Sequence, residues 1–133
     1  MTAVSKSGTP SLSTAAPGGD AWVGSGLKAG EDIAAGDVCY IKSDGKVWRS
    51  TGAAANAAAK ANGIAVKVSK SGEPVTLMRG VDLDYGSGLT PGAVYYLSGT
   101  TAGGLDTAPS TGGTAPIAFA LDTTRIRFTG SMY

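Results

Sequence analysis

Short strand-forming runs, separated by turn sequences at intervals of about 8–12 residues, are the feature that most constrains how this chain can fold. Residues 37–42 and 47–51 form one such pair, and the Asp44-Gly45 sequence between them is a strong hairpin signal. Comparable runs follow at residues 64–69, 74–79, 81–85, 93–98, 116–121 and 125–129. The pattern predicts an all-β fold, a small single-domain β-barrel or sandwich.

One stretch departs from the strand pattern. Residues 53–61 are almost all alanine and have the highest helix propensity in the chain. Nine residues are too few for a helix that is stable by itself in water. We therefore expect a short Ala-rich helix or a loop over one end of the barrel, ended by Gly63.

Large apolar side chains are scarce in this chain. Leu, Ile, Val and Phe supply 24 of 133 residues, whereas Gly alone supplies 21. Disordered chains combine few large apolar residues with a large net charge, but the formal charge of this chain is only +1. We therefore expect the chain to fold. The length suits one domain, which we place at residues 26–133. A core this thin gains from burial against other chains, which favours an oligomer.

The first 25 residues differ from the rest. They are mostly Ser, Thr, Gly, Ala and Pro, and a segment of this composition cannot bury enough surface to offset its ordering entropy. One interpretation of residues 1–25 is a flexible N-terminal arm, and the other is an arm that orders on a neighbouring subunit through Trp22. On either interpretation, removal of the arm should leave the fold intact.

Two parts of the domain, residues 36–79 and 92–128, have a similar layout. Each begins with a Gly-led strand, at Gly36 and at Gly92, and continues through an Ile-Ala strand, at Ile64 and at Ile117, to a closing strand. This predicts a pseudo-repeat of two β-units in one barrel. The alternative is convergence, because a glycine followed by strand formers opens a strand well after any tight turn.

The residue types exclude most enzyme classes. Without histidine there is no Ser-His-Asp triad and no imidazole metal ligand, and one cysteine cannot form an internal disulfide or a zinc site. Cys39 is interpreted as a buried small apolar residue. Asp82 and Asp84 share one strand face and could hold a cation, but solvated charges at a strand edge are the better interpretation. We expect no catalytic residue, no metal and no cofactor.

Nucleic acid and membranes are not expected as partners either. The near-zero net charge provides no broad basic field, and no apolar run approaches the length of a membrane span. Arg125 and Arg127 with nearby tyrosines could imitate a base-stacking platform. However, Tyr95 and Tyr96 are adjacent, so on a strand they face opposite sides and at most one can take part.

Several short motifs, taken in order, resemble the small decoration (cement) proteins on the heads of tailed bacteriophages. The resemblance covers residues 30–128, nearly the whole domain. It is carried by Gly30-Glu31-Asp32-Ile33-Ala34-Ala35-Gly36-Asp37-Val38, Asp44-Gly45-Lys46-Val47, Gly72-Glu73-Pro74-Val75-Thr76-Leu77, Leu89-Thr90-Pro91-Gly92-Ala93-Val94-Tyr95-Tyr96-Leu97-Ser98, Gly104-Leu105, Ala108-Pro109 and Pro116-Ile117-Ala118-Phe119-Ala120-Leu121.

The resemblance implies a non-enzymatic virion protein, made in the bacterial cytoplasm, that binds the outer surface of the assembled capsid. Its partner would be the major capsid protein, at junctions between subunits, and it would act as a homotrimer that stabilises the shell. We expect Trp22 and Val23 of the arm to make capsid or subunit contacts, together with Arg125 and Arg127.

The alternative is a tail-fibre or spike module that binds a host-surface receptor or glycan, because the motifs near the end of the chain also occur in phage fibre proteins. Aromatic side chains exposed together, such as Trp48 with Tyr85 or Tyr96, would favour this alternative, since sugars stack on aromatic rings.

Overall fold

The computed structural model describes residues 3–4, 6–12, 21–22 and 27–130 of the chain. Within these residues the fold is all-β, which confirms the predicted fold class. No helix in this part is long and apolar enough to cross a bilayer. The strands are β1 (Lys6–Leu12), β2 (Ala21–Trp22), β3 (Val38–Ile41), β4 (Val47–Arg49), β5 (Gly63–Ala65), β6 (Leu77–Arg79), β7 (Val81–Gly86), β8 (Val94–Leu97), β9 (Leu105–Asp106), β10 (Ala118–Ala120) and β11 (Arg125–Phe128).

The strands form two antiparallel sheets. One has six strands in the order β1-β7-β11-β10-β8-β9, and the other has five in the order β2-β6-β5-β3-β4. The chain passes from the second sheet to the first at Gly80, the single residue between β6 and β7. Gly80 has a φ of +68°, a left-handed conformation that a residue with a Cβ rarely adopts.

The main core lies between the two sheets. Strands of the five-stranded sheet alternate their side chains between this core and a second, smaller one. Val38 and Ile64 enter the main core, whereas Cys39 and Ala65 enter the second core, which residues from 27 to 33 and Val75 cover. Residues on both faces of β3, β5 and β6 are therefore buried, and the buried parts of these strands are apolar runs.

The local turn signals are confirmed. Gly45 has a φ of +81° in the β3–β4 hairpin, where its amide bonds the carbonyl of Lys42 at 2.9 Å. The alanine-rich stretch forms only a 3-10 helix at Ala57–Ala59 within a loop. The side chain of Asn56 caps this helix by accepting a hydrogen bond from the amide of Ala58 at 3.0 Å.

The strand order repeats between the two sheets. The sequence β6-β5-β3-β4 in one sheet corresponds to β11-β10-β8-β9 in the other. Strands β3 and β8 both follow a turn whose glycine is left-handed, Gly36 at +85° and Gly92 at +82°. The amide of Gly36 bonds Ala65 at 2.7 Å and that of Gly92 bonds Ala120 at 2.8 Å.

The two units do not match residue by residue in the structure. It places Ile64 opposite Val38 and Phe119 opposite Val94. Val38 and Ile64 enter the main core, whereas Val94 is 44% exposed. The pseudo-repeat, with its match of Ile64 to Ile117, stays a prediction.

The N-terminal segment, defined here as residues 3–4 and 6–12, contacts both edges of the six-stranded sheet. Strand β1 pairs with β7, while Ala3 bridges Asp106 of β9 and the amide of Val4 bonds Leu105 at 3.1 Å. The composition of residues 1–25 predicts a flexible arm, yet this part of it is paired within the chain. Main-chain hydrogen bonds to the edge of a sheet need no large side chains. A segment poor in large apolar residues can therefore still pair with β7 and β9. The domain boundary after residue 25 stays a prediction.

Candidate functional site

Strand β11 lies inside the six-stranded sheet and carries two of the predicted contact residues. Its alternation directs Ile126 and Phe128 into the main core, where both are fully buried. Arg125 and Arg127 therefore emerge on the opposite, outer face, and each is partly exposed. The two arginines lie side by side on one face because they are two residues apart on one strand.

Arg127 forms an ion pair with Asp82, its cross-strand partner on β7. The Nε atom of Arg127 lies 2.8 Å from Oδ1 of Asp82, whose side chain is only 3% exposed. That oxygen has no hydrogen bond of good geometry among the described residues, so the contact is chiefly electrostatic. Arg127 thus neutralises a buried carboxylate while keeping part of its side chain at the surface.

The position of β7 corrects one expectation. Asp82 and Asp84 do share a face, but β7 lies between β1 and β11 and is not an edge strand. Asp84 is exposed, whereas Asp82 is buried and paired. The interpretation of both as solvated edge charges is therefore wrong for Asp82, because the N-terminal segment supplies the outermost strand.

Arg125 is held by Asp122 in the turn before β11. Oδ2 of Asp122 accepts a hydrogen bond from Nε of Arg125 at 2.7 Å, and Oδ1 accepts from the amides of Thr124 and Arg125 at 2.9 and 2.8 Å. The bond from Thr124, followed by that from the Arg125 side chain, lowers the pKa of Asp122 to about 2. The carboxylate therefore stays ionised and keeps the guanidinium in place.

Two apolar side chains extend the arginine surface across the sheet. Phe119 on β10 lies opposite Arg127, and Val94 on β8 lies opposite Phe119. Directly opposite residues of antiparallel strands share a face, so these side chains form one row. Val94 is 44% exposed. We name Val94, Phe119, Arg125 and Arg127 the outer patch.

The composition of the outer patch is typical of protein–protein contacts, in which aromatic residues and arginine are enriched. The sequence predicts Arg125 and Arg127 as contact residues, which stays a prediction, and it did not point to Val94 or Phe119. Alternation in residues 94–97 indicates that one of Tyr95 and Tyr96 faces outward, and the structure confirms this: Tyr95 is buried and Tyr96 is partly exposed. The row depends on the register in which β8, β10 and β11 pair. No short sequence motif predicts that register.

The other two predicted contact residues lie elsewhere. Trp22 belongs to β2, where its backbone pairs with Met78 at the edge of the five-stranded sheet. Val23 lies outside the described residues. The structure therefore brings Arg125 and Arg127 together in one sheet and places the strand of Trp22 in the other.

The aromatic residues that would favour sugar stacking do not form an exposed pair. Tyr85 is 1% exposed, and burial raises the pKa of its hydroxyl group. Trp48 lies in the other sheet, where its Nε1 donates to Asp44 at 3.1 Å and the Nζ of Lys42 lies 4.6 Å from the ring centroid. Tyr96 is on β8 of the six-stranded sheet, whereas Trp48 is on β4 of the five-stranded sheet.

Cys39 is buried, as expected. Its Sγ donates to the carbonyl of Asp37 at 3.4 Å, and burial, together with the nearby carboxylate of Asp37, raises the pKa of the thiol.

Among the described residues no three potential metal ligands lie close enough together to hold an ion. Two shallow cavities, of about 180 and 260 Å³, are smaller than most ligand pockets.

The outer patch is thus the surface that best fits a binding role. Comparisons of this chain with protein-family models, with curated proteins and with solved structures find no match.

Proposed function

We propose that this chain is a bacteriophage head decoration (cement) protein, which binds the outer surface of the assembled capsid where major capsid subunits meet. One observation carries the proposal: the order of short motifs along residues 30–128 resembles that family across nearly the whole domain. We propose further that the protein acts as a homotrimer and performs no catalysis.

The positions of the motifs are consistent with this proposal. The segments 30–38 and 89–98 contain the two left-handed glycine turns that begin β3 and β8, and the segment 116–121 contains β10. The motifs that carry the resemblance therefore belong to the turns and strands that define the two-sheet body.

The outer patch supplies the proposed contact with the shell. Arg125 and Arg127 are held in fixed positions by Asp122 and Asp82, so little side-chain entropy is lost when a partner binds them. Val94 and Phe119 add apolar area beside them. A protein that binds only the assembled lattice stabilises that lattice by mass action, and many copies multiply a modest energy per site.

Undecorated heads of the phage that encodes this chain provide the direct test. Purified protein is added to the heads, its density is located by electron cryo-microscopy, and the heat resistance of the heads is measured with and without it. We expect density at junctions between capsid subunits and a higher disruption temperature. Density on the tail would favour the receptor-binding alternative instead. The same holds if the protein binds host cells and leaves the heads undecorated.

Two exposed valines provide a matched pair of variants. Val94 is 44% exposed in the outer patch, and Val68 is 57% exposed in the loop between β5 and β6. Val94→Asp should raise the Kd for heads at least tenfold, and so lower occupancy at subsaturating protein, because it places a charge in an apolar contact worth about 1.4 kcal/mol or more. Val68→Asp should leave occupancy unchanged. Equal occupancy for both variants would show that the outer patch does not face the shell.

A further inference from the structure

Without the N-terminal segment, β7 and β9 would be the two edge strands of the six-stranded sheet, and the segment pairs with both of them. On one side β1 supplies the outermost strand, with Lys6 opposite Gly86, Ser11 opposite Asp84 and Leu12 opposite Leu83. On the other side, Ala3 bridges Asp106 of β9. The edges of β7 and β9 therefore form an acceptor for one extended segment, and we name these edges, together with Gly36 and Asp37 in the turn before β3, the acceptor groove.

Two side-chain contacts make the acceptor groove specific for this segment. The Nζ of Lys6 lies 2.7 Å from Oδ1 of Asp37, a carboxylate with a 7% exposed side chain that also accepts a hydrogen bond from the amide of Ala34 at 2.9 Å. Pro10 is buried against Gly36, where an added Cβ would lie 2.7 Å from the Cγ of Pro10. The groove thus selects a lysine and a proline four residues apart.

These contacts do not depend on which copy of the chain provides the segment. Every partner of residues 3–12 named above belongs to β7, β9 or the turn before β3, and an identical segment from a second copy meets the same groups. The segment leads into residues 13–20, eight residues that include Pro17, Gly18 and Gly19. Eight residues can span up to about 26 Å.

We propose that the acceptor groove binds the N-terminal segment of a second copy, so that copies of this protein are joined by exchange of residues 3–12. Exchange retains the native contacts and costs only the entropy of association, so it prevails where copies are concentrated. The inference deepens the homotrimer of the proposed function by naming the element that links its subunits, but it requires no capsid.

A disulfide across the β1–β7 pairing tests the exchange. The full chain carries Ser11→Cys and Asp84→Cys, whose Cα atoms are direct partners, in a Cys39→Ala background. It is refolded from urea at about 10 µM and at about 1 mM, concentrations below and near the effective concentration of a short tether, and then oxidised. Non-reducing electrophoresis and intact mass separate bonds within a chain from bonds between chains.

We expect a covalently linked dimer or trimer at high concentration, at least tenfold enriched over the dilute sample. The control pair, Val94→Cys with Phe119→Cys, joins β8 to β10, two neighbouring strands of the six-stranded sheet that do not include the N-terminal segment, and should form bonds within one chain at both concentrations. If the Ser11–Asp84 pair also links only within one chain at about 1 mM, or forms no bond, the exchange does not occur.

The two proposals fail separately. Linked chains that do not bind heads would overturn the decoration function and leave the exchange standing. Heads decorated by a protein whose Ser11–Asp84 bond always stays within one chain would overturn the exchange and leave the function standing.

Discussion

At the scale of single residues, the ion pairs of this protein differ greatly in burial, and burial decides what each one contributes. The Lys6–Asp37 pair has a 7% exposed carboxylate, whereas Lys70 and Asp32 are 3.8 Å apart with both side chains 69% exposed. Surface pairs of the second kind contribute little because water and salt screen them. A charge left alone in a buried site is expensive.

Lys6→Ala should therefore lower the free energy of unfolding by about 1–3 kcal/mol, because it removes the cation from a buried carboxylate that, among the described residues, keeps only the Ala34 amide as a hydrogen-bond donor. Lys70→Ala should change it by less than about 0.5 kcal/mol. Urea denaturation of both variants at neutral pH measures the difference. Equal losses would mean that the Lys6–Asp37 pair is as weak as an exposed one.

The Asp122 carboxylate predicts a pH dependence. Its pKa in the folded chain is about 2, below the ordinary value of 3.8, so its contribution to stability is present above pH 4 and is lost as the pH falls toward 2. Asp122→Asn should be less stable than the parent at pH 5, and the difference should narrow between pH 4 and pH 2. Urea midpoints across this range measure it, and a constant difference would contradict the assignment.

At the scale of elements, the turns that precede β3 and β8 differ in whether another part of the chain packs against them. Gly36 and Gly92 have nearly the same left-handed conformation, but a Cβ on Gly92 would meet nothing within 4 Å, whereas one on Gly36 would meet Pro10 of β1. The pair therefore separates the conformational cost of a left-handed residue from the cost of displacing the N-terminal segment.

Gly92→Ala should destabilise the protein by about 1 kcal/mol, the cost of the left-handed conformation alone. Gly36→Ala should cost that amount plus about 1–3 kcal/mol of overpacking against Pro10. Hydrogen exchange should accelerate at the amide of Val4, which bonds Leu105, in the Gly36 variant only. Equal exchange in both variants would show that the turn does not hold the N-terminal segment.

At the scale of the whole molecule, the N-terminal segment determines whether the six-stranded sheet has open edges. The composition of residues 1–25 predicts that their removal leaves the fold intact. The structure changes this expectation, because β7 and β9 would each lose a partner. Unpaired strand edges are templates for association with other chains.

Deletion of residues 1–12 should lower the Tm by about 5–15 °C and produce concentration-dependent aggregates, since it removes main-chain pairing and the Lys6–Asp37 ion pair together. A chain that begins at residue 3 keeps both pairings and is the control. Differential scanning calorimetry and light scattering measure the two effects. A shortened chain with the parent Tm and no aggregation would show that the segment is dispensable.

The sequence by itself determined the local features of this protein. Alternation and turn chemistry identified the all-β class, the hairpin at Gly45, the burial of Cys39 and the opposite orientations of Tyr95 and Tyr96. Each depends on residues within about ten positions of one another, where side-chain type and backbone preference act directly. Arg125 and Arg127 lie on one face of β11 for the same reason, because they are two positions apart on one strand. Their role as contact residues stays a prediction.

Only the tertiary structure decided which strands are neighbours. Pairing depends on main-chain groups that every residue shares, so side-chain types did not show that β1 covers β7 or that Asp82 is buried beside Arg127. The same holds for the row from Val94 through Phe119 to Arg127, which three distant strands assemble. Contacts between residues far apart in the chain follow from the register of the sheets, and the register emerges only when the whole core packs.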